Sequence, residues 1–307
     1  MSKNPQSPET CLNQWIQDLT DYGLLSKTLT DYRTTANVLF RTMLDNEREV
    51  LPYKWTKTDT KFLKDFWDEK GLKTKTQISY HTIFTNLAEH FGNFAPSSYR
   101  IHWPSLTGDG RRWLELLQAR TVINHPMSPM QRIGIELMLR MGRRRVENLR
   151  ALLSQMFPEA KDPYMIVDGK GHKRHIMPFA PTTYKIYYEW MDYRDQLIDN
   201  VCNHPRKARE EHDQLFLYAR GGKIGYYDIE KGSGYDKAVT NAVSASCGIK
   251  FSNHDLRRTF GRELYFTSRI DPVIIQGYYN HNSLDQTLWY IGADQRRMSE
   301  AIQQIAY

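Results

Sequence analysis

Four side chains near the carboxyl end of the sequence constrain its fold more than any other feature. In the segment SNHDLRRTFGREL, residues 252–264, His254 and Arg257 lie three positions apart. Residues at this spacing share one face of an α-helix, so we expect a helix that presents two basic side chains together. His281 follows, and Tyr290 lies nine positions after it. Each residue alone is compatible with an ordinary structural role, so the meaning of the set depends on the rest of the chain.

The composition is that of a packed protein with a basic surface. Of the 307 residues, 40% are hydrophobic and 12% aromatic, which excludes a disordered chain. A chain of this length is long enough for two domains. The formal net charge of +7 favours an anionic partner, with DNA or RNA ahead of a membrane surface. The three cysteines, Cys11, Cys202 and Cys247, form no CxxC pair, which argues against a disulfide framework or a metal site and suits a reducing cytoplasm. No apolar run approaches the roughly 18 residues of a membrane span.

Periodicity and chain-breaking residues predict two domains joined by a linker. Residues 1–10 are polar and contain two prolines, so we expect a flexible arm. Residues 11–95 show the three–four apolar spacing that is typical of amphipathic helices, which predicts a four-helix domain with Ser26 capping its second helix. Residues 96–112 are rich in Gly, Pro and Ser and are expected to form the linker to a second domain, residues 113–307.

Lysines mark the polar faces of the predicted helical domain. In a nucleic-acid-binding protein such lysines grip phosphates without reading the bases. The alternative is a helical bundle with a solvated, charged surface. The lysines concerned are Lys57, Lys61, Lys64, Lys73 and Lys75.

The second domain is predicted to be helical apart from a small β-hairpin, so the expected fold class of the whole chain is mainly α with a small β component (α+β). An apolar helix at 130–141 leads into GRRRVENLRAL, residues 142–152. Three adjacent arginines at the end of a buried helix require solvent, an anion or an acidic partner. We expect Glu147 to pair with one of them, and Arg143 and Arg145 to be solvated.

The predicted hairpin carries a cluster of basic residues at its tip. Two segments with strand-like composition, 164–167 and 175–179, flank the turn DGKGHKR. The turn contains Lys170, Lys173 and Arg174, but it lacks the GxxxxGK[ST] spacing of a Walker A loop. A basic tip of this kind reaches a DNA groove or a phosphate in some proteins and is plain surface in others, and the residues of the tip leave both interpretations open.

Taken together and in order, these motifs resemble those of the tyrosine recombinase (phage integrase) family. That family combines an arginine in a G-x-R-x-x-E box, a lysine on a β-hairpin, an H-x-x-R box, a second histidine or tryptophan, and a nucleophilic tyrosine nine residues later. The resemblance implies a helical core-binding domain followed by a catalytic domain. The matching residues are Gly142, Arg144, Glu147, Lys170, His254, Arg257, His281 and Tyr290.

The resemblance also implies how these residues would cleave DNA. Arg144 and Arg257 would clamp the non-bridging oxygens of a phosphodiester, because arginine stays protonated and offers paired donors. Tyr290 would attack the phosphorus, with His254 as its base, and form a 3′-phosphotyrosine.

Two further groups complete the implied chemistry. Lys170 would protonate the leaving 5′ oxygen as a general acid, and His281 would donate to a phosphate oxygen or orient a neighbour. The phosphotyrosine bond retains the energy of the phosphodiester. The resemblance therefore implies that neither a metal nor ATP is required, and we expect no cofactor.

The sequence departs from the family pattern at one dipeptide. The usual Leu-Gly before the second histidine is Tyr279-Asn280 here. A glycine there would allow a tight turn, and asparagine is the next best residue for a positive φ, so we expect activity to survive; Asn280 is the first position at which to look for a departure from the family geometry. Two assignments have rivals: Lys173 is the alternative to Lys170, and Arg144 is chosen over its neighbours by its place in the G-x-R-x-x-E box.

The expected function is site-specific DNA recombination in the cytoplasm, most readily as the integrase of a mobile element. The resemblance implies double-stranded DNA as the partner and four copies of the chain on synapsed sites, with accessory DNA-binding factors left open. The apolar residues Met298, Ile302 and Ile305 are expected to dock on a neighbouring copy. No arm-binding domain is expected before the helical domain. The alternatives are a type IB topoisomerase and a non-catalytic DNA-binding relative.

Overall fold

The chain divides into two compact units, residues 1–109 and 110–307. The computed structural model describes residues 5–104, 112–169 and 174–293, apart from the side chain of Pro205. Helices dominate the described part of both units, and the strands of the second unit form small antiparallel sheets. The predicted fold class, mainly α with a small β component, is confirmed. Within the described ranges no helix combines the length and the apolar character needed to cross a membrane.

The first unit is a bundle of amphipathic helices around an aromatic core. Trp55 stacks on Phe84 with a ring-centroid distance of 4.1 Å. Trp103, in the segment expected to be a linker, packs on the same core. The helices are α1 (Pro8–Asp21), α2 (Ser26–Asp45), α3 (Lys57–Glu69) and α4 (Thr74–His90).

Two local expectations for this unit need correction. Helix α1 begins at Pro8, where the side chain of Ser7 caps it, so the last three residues of the expected arm are helical. Proline at the start of a helix fits this position because its missing N–H would have no helical partner there. Ser26 is the first residue of α2 rather than its cap; Leu25 occupies the cap position without a side-chain hydrogen bond.

The second unit interleaves helices with two small antiparallel sheets. In the first sheet β2 pairs with both β1 and β3, and the register of the β2–β3 hairpin runs from Tyr164 opposite Pro178 to Asp168 opposite Arg174. The strands are β1 (Met156–Phe157), β2 (Tyr164–Asp168), β3 (Arg174–Pro178), β4 (Leu217–Arg220) and β5 (Lys223–Tyr226). The helices are α5 (Leu116–Asn124), α6 (Pro129–Leu139), α7 (Arg145–Leu149), α8 (Pro181–Asp199), α9 (Pro205–Glu211), α10 (Ser233–Asp236), α11 (Ala242–Cys247), α12 (Asn253–Arg262), α13 (Pro272–Tyr279) and α14 (Leu284–Ile291).

Helix α6 is the centre of this unit. It packs against α8 and α12, and its side chains Ile133, Leu137 and Met138 are buried in the main hydrophobic core. Helices α13 and α14 enclose a second apolar cluster that includes Tyr279 and Ile291, and α14 packs against α12. The fold thereby brings the end of α6, the start of α7 and the helices α12 to α14 to one place, where Arg144, Arg257 and Tyr290 meet.

Candidate active site

The turn that joins α6 to α7 supplies the first part of the site. Gly142 has a φ of +62°, a left-handed conformation that suits glycine because it has no Cβ. Arg144 precedes the first residue of α7. Its backbone N–H donates to Glu147 Oε2 over 2.6 Å, and its Nη1 donates to Glu147 Oε1 over 2.7 Å. Glu147 therefore fixes both the backbone and the side chain of Arg144.

Arg257 reaches the same place from α12. The side chain of Ser252 caps this helix, and Arg257 lies on its buried side, only 2% exposed. Arg257 Nη1 donates to the carbonyl oxygen of Gly142, and its Nη2 donates to that of Tyr279 over 3.1 Å. Arg144 Nη2 donates to the same Tyr279 oxygen over 3.0 Å. One carbonyl oxygen thus brings together the two arginines that were predicted to clamp a phosphate.

Glu147 is the carboxylate that these two cations share. It is 1% exposed and lies 3.7 Å from Arg257 Nη1. Burial alone would raise the pKa of Glu147, but Arg257 and Arg144 bring it below its ordinary value, so the carboxylate is ionised at neutral pH. Two guanidinium groups against one carboxylate leave a net positive charge, which suits an anion such as a phosphate. Among the described residues, no cluster of three or more His, Cys, Asp or Glu side chains could hold a metal ion.

The turn between α13 and α14 positions His281. Asn280 follows the last residue of α13 with φ +53° and ψ +49°, the left-handed conformation that asparagine tolerates. After this reversal His281 Nδ1 lies 2.9 Å from Thr287 Oγ1, and its ring centroid lies 5.2 Å from that of Tyr290.

The charge state of His281 follows from its surroundings. Burial, followed by the charges of Arg257 and Arg144, lowers the pKa of His281 to about 4. The ring is therefore neutral at pH 7 and can offer one N–H donor.

Tyr290 lies near the end of α14 and is 8% exposed. Its buried hydroxyl makes no hydrogen bond of good geometry with the described residues. Burial raises the pKa of Tyr290, while Arg257, Arg258 and Arg144 oppose that rise. The guanidinium carbon of Arg258 lies 5.3 Å from the centre of the Tyr290 ring. A buried phenol among cations is a candidate nucleophile, because the cations stabilise its phenolate.

His254 lies in the first turn of α12 with an exposed side chain. Desolvation of the part of the ring that faces the protein lowers the pKa of His254, and the charges of Arg258, Arg257 and Arg144 lower it further. The imidazole is therefore predominantly neutral at pH 7 and able to accept a proton.

The basic hairpin is described only at its base. Lys170 and Lys173 lie outside the described residues, as does the expected docking segment after residue 293. Arg174 opens β3 and pairs with Asp168 of β2 over 2.7 Å, with 72% of its side chain exposed. This ion pair joins the two strands at the end next to the turn that contains the two lysines.

The predicted phosphate-binding lysines lie on α3 and at the start of α4. Lys57, Lys61 and Lys64 are spaced so that they share one side of α3. Lys64 is partly buried, forms an ion pair with Asp68 and lies 5.8 Å from the Trp103 ring. The others, Lys57, Lys61, Lys73 and Lys75, are exposed.

The arginines that flank Arg144 were expected to be solvated; that prediction is wrong for Arg143 and holds only in part for Arg145. Arg143 is 1% exposed; its Nη1 lies 3.2 Å from the sulfur of Met165, and its Nη2 donates to the Glu147 carbonyl oxygen over 2.5 Å. Arg145 pairs with Asp236 over 2.6 Å. Protein groups therefore replace the expected solvent around Arg143, whereas Arg145 keeps 28% of its side chain exposed beside its ion pair.

Two residues of the site were not predicted from the sequence. Arg258, beside Arg257, lies over the Tyr290 ring, and Tyr279 lies among the arginines and Tyr290. The available signals were a second arginine directly after the H-x-x-R box and the replacement of the family's usual leucine by Tyr279.

Solved structures of recombinases share this fold. The XerH site-specific recombinase bound to a palindromic difH substrate has a TM-score of 0.66 at 19% identity, covering 98% of this chain and 85% of that chain. A lambda integrase dimer bound to a COC′ core site has a TM-score of 0.65 at 14% identity, covering 92% of this chain and 94% of that chain. At such identities the similarity shows the fold alone.

Sequence comparison identifies the family. The tyrosine recombinase XerC of Corynebacterium glutamicum is 26% identical over 133 residues, 43% of this chain and 37% of the relative. XerC 1 of Ralstonia nicotianae is 26% identical over 136 residues, 44% of this chain and 38% of the relative, so the match spans less than half of either relative. The phage integrase family profile matches residues 112–297, more than half of the 307 residues. The resemblance predicted from the motifs is confirmed: the chain belongs to the phage integrase family of tyrosine recombinases.

Proposed function

We propose that the chain is a site-specific DNA recombinase that cleaves and rejoins DNA through a 3′-phosphotyrosine intermediate. The observation that carries the proposal is that Arg144 and Arg257 meet at one carbonyl oxygen, with the rings of His281 and Tyr290 beside them. A protein that only holds DNA has no need of a buried tyrosine hydroxyl next to a cationic phosphate site. Family membership supports the same class of activity.

The proposed role of the cations is to make a phosphodiester open to attack. Its anionic oxygens repel a nucleophile, and this repulsion falls when N–H groups of Arg144 and Arg257 bind the non-bridging oxygens. Neutral His281 adds a donor from Nε2 if Thr287 donates its hydroxyl hydrogen to Nδ1. The buried, preorganised donors stabilise the extra negative charge of the transition state.

The proposed cleavage step transfers two protons. Tyr290 Oη bonds to phosphorus while the bond from phosphorus to the 5′ oxygen breaks. The phenolic proton passes to His254, and the leaving 5′ oxygen takes a proton from Lys170. Attack by a 5′ hydroxyl of another strand reverses these transfers, rejoins the DNA and releases Tyr290. One phosphoester bond is exchanged for another at each step, so the scheme uses neither ATP nor a metal ion.

The proposed assembly follows from the two units. Residues 11–95 bind DNA through the phosphate-binding lysines, and residues 113–307 carry the chemistry. Four copies of the chain assemble on two synapsed duplexes, and Met298, Ile302 and Ile305 dock on a neighbouring copy. Within this class, we propose the integrase of a mobile element, with accessory DNA-binding factors left open.

Covalent capture tests the proposal. A pool of duplexes with randomised sequence and a nick that lets the cleaved 5′ end diffuse away traps the intermediate. The wild-type chain is expected to form an adduct that resists detergent, Tyr290→Phe to form none, and Tyr193→Phe, which alters an exposed tyrosine on α8, to form it normally. DNA binding without any adduct would overturn the proposal in favour of a non-catalytic binding protein. Relaxation of supercoiled DNA without strand exchange would favour a topoisomerase.

A further inference from the structure

Tyr279 is not one of the motif residues, yet it contacts several of them in the candidate active site. It is fully buried at the end of α13. Its ring lies 5.6 Å from that of Tyr290 in an edge-to-face arrangement with an interplanar angle of 81°, and 5.2 Å from the ring of His281. Its carbonyl oxygen accepts hydrogen bonds from Arg144 and Arg257. Any residue at position 279 could make the backbone contacts, whereas the ring contacts require an aromatic side chain.

Arg257 is held by Tyr279 in three separate ways. The guanidinium carbon lies 3.9 Å from the centre of the Tyr279 ring, the distance of a close cation–π contact. The Tyr279 hydroxyl donates to the Arg257 carbonyl oxygen over 2.6 Å, and Arg257 Nη2 donates to the Tyr279 carbonyl oxygen over 3.1 Å. The side chain of each residue is thereby held against the backbone of the other. A leucine at this position offers neither a ring face nor a hydroxyl.

The surrounding backbone makes room for this ring. A Cβ on Gly261 would lie 2.9 Å from Tyr279 Cε2 and 3.0 Å from its hydroxyl oxygen, and also 2.9 Å from Ile291 Cγ2. Gly261 lies inside α12, where glycine is about 1 kcal/mol less favourable than alanine. Its helical backbone needs no glycine, so the space for Tyr279 and Ile291 explains why a small residue stands there.

We propose that Tyr279 is a positioning residue, which fixes the orientation of Arg257 and its separation from Tyr290, and that DNA cleavage depends on this arrangement. The inference rests on the proposed function, because it concerns the same cleavage step. Tyr279 touches no reacting atom. It acts through Arg257, whose face it covers, and through Tyr290, whose ring it contacts edge-on. Because one ring contacts both groups, a change in that ring alters the geometry between phosphate clamp and nucleophile.

The test compares cleavage with binding in three single variants. Tyr279→Phe keeps the ring and loses the hydroxyl bond, Tyr279→Leu loses both, and Gly261→Ala crowds the ring. Single-turnover cleavage of the nicked duplex is measured at saturating protein, beside the Kd for the same DNA and the melting temperature. We expect Tyr279→Leu to cleave at least tenfold more slowly with an unchanged Kd, and Tyr279→Phe to recover most of that loss.

A double variant separates positioning from a general structural role. If Gly261→Ala slows cleavage by pushing the Tyr279 ring, its effect will be at least threefold smaller in the Tyr279→Leu background, since residues in contact are not additive. A Tyr279→Leu protein that cleaves at the wild-type rate overturns the inference alone. So does a loss of cleavage that merely follows a weaker Kd or a lower melting temperature. A wild-type chain that forms no adduct overturns the proposed function, and this inference with it.

Discussion

The guanidinium of Arg258 lies over the ring of Tyr290, with 5.3 Å between the guanidinium carbon and the ring centre. Arg258 also pairs with Asp255 one turn earlier on α12. Its charge opposes the rise in the pKa of Tyr290 that burial causes. A cation in this position favours the phenolate, which is the form that attacks phosphorus, so Arg258 is expected to assist the nucleophile.

Replacing Arg258 should therefore slow cleavage and shift its pH dependence. Only the extra stabilisation that the cation gives the phenolate over the neutral phenol changes the rate, and about 0.5–2 kcal/mol of it corresponds to a loss of roughly two- to thirtyfold. We expect Arg258→Gln to show this loss at pH 7 in single-turnover cleavage. The increase of the cleavage rate with pH should also move to higher pH, because the pKa of Tyr290 increases. Arg258→Lys keeps the charge and should retain most of the rate. A profile for Arg258→Gln that coincides with the wild type would contradict this role.

Removing the charge of Glu147 should destabilise the protein strongly. Glu147 is buried against Arg144 and Arg257, and breaking a buried ion pair by changing one partner costs about 3–5 kcal/mol. We expect Glu147→Gln to approach this loss in urea unfolding. Glu189→Gln is the matched control, because its pair with Lys185 is exposed and such pairs are worth about 0–1 kcal/mol. Equal stabilities of the two variants would show that the carboxylate does not hold the arginines together.

Features that depend on residues close together in the sequence could be predicted. His254 and Arg257 lie on one turn of α12 because their spacing is helical, and Asn280 is left-handed because its residue type tolerates that backbone. The strands of the hairpin follow in the same way from short β-branched and aromatic runs. The identity of the family also came from spacing, since the order of the motif residues is a property of the chain alone.

Features that depend on tertiary packing could not be predicted. The G-x-R-x-x-E box singled out Arg144, which reaches the Tyr279 carbonyl, but nothing in the sequence indicated that the adjacent Arg143 is buried beside Met165 of β2. The direction of each side chain is decided by the left-handed turn at Gly142 and by the packing of the sheet behind it. The position of Tyr279 between α12 and α14 likewise depends on contacts between separate helices, which the sequence alone does not reveal.

The left-handed backbone at Asn280 gives a direct test of its residue type. A residue with an ordinary Cβ is strained there by about 1–2 kcal/mol, whereas glycine is not. We expect Asn280→Ala to lose about this much stability in urea unfolding and Asn280→Gly to remain close to the wild type. Since this turn also positions His281, Asn280→Ala should slow cleavage as well. A variant Asn280→Ala as stable as Asn280→Gly would show that the backbone relaxes without strain.

The lysines of α3 should contribute affinity for DNA without sequence preference. Removing one lysine that neutralises a phosphate lowers the slope of log K against log salt by about 0.9 for duplex DNA. We expect Lys57→Gln with Lys61→Gln to weaken binding to all duplexes alike and to reduce that slope by about 2. Lys185→Gln, on an exposed face of α8, serves as the single-charge control. An unchanged salt slope in the double variant would remove these lysines from the DNA-binding surface.

The depressed pKa of His281 makes the stability of the protein depend on pH. The folded ring stays neutral down to pH about 4, whereas the ordinary value for histidine is 6.5. Between these values the unfolded chain binds a proton that the folded chain does not, so stability falls as the pH drops through this window. At about 1.4 kcal/mol per pH unit, the loss from His281 reaches roughly 3 kcal/mol near pH 4. We expect His281→Gln to show a shallower fall in urea unfolding between pH 6.5 and pH 4, with the remaining slope arising from groups such as His254 and His175, whose pKa values are also lowered. The same pH dependence in both proteins would mean that His281 accepts a proton in the folded state as readily as in the unfolded one.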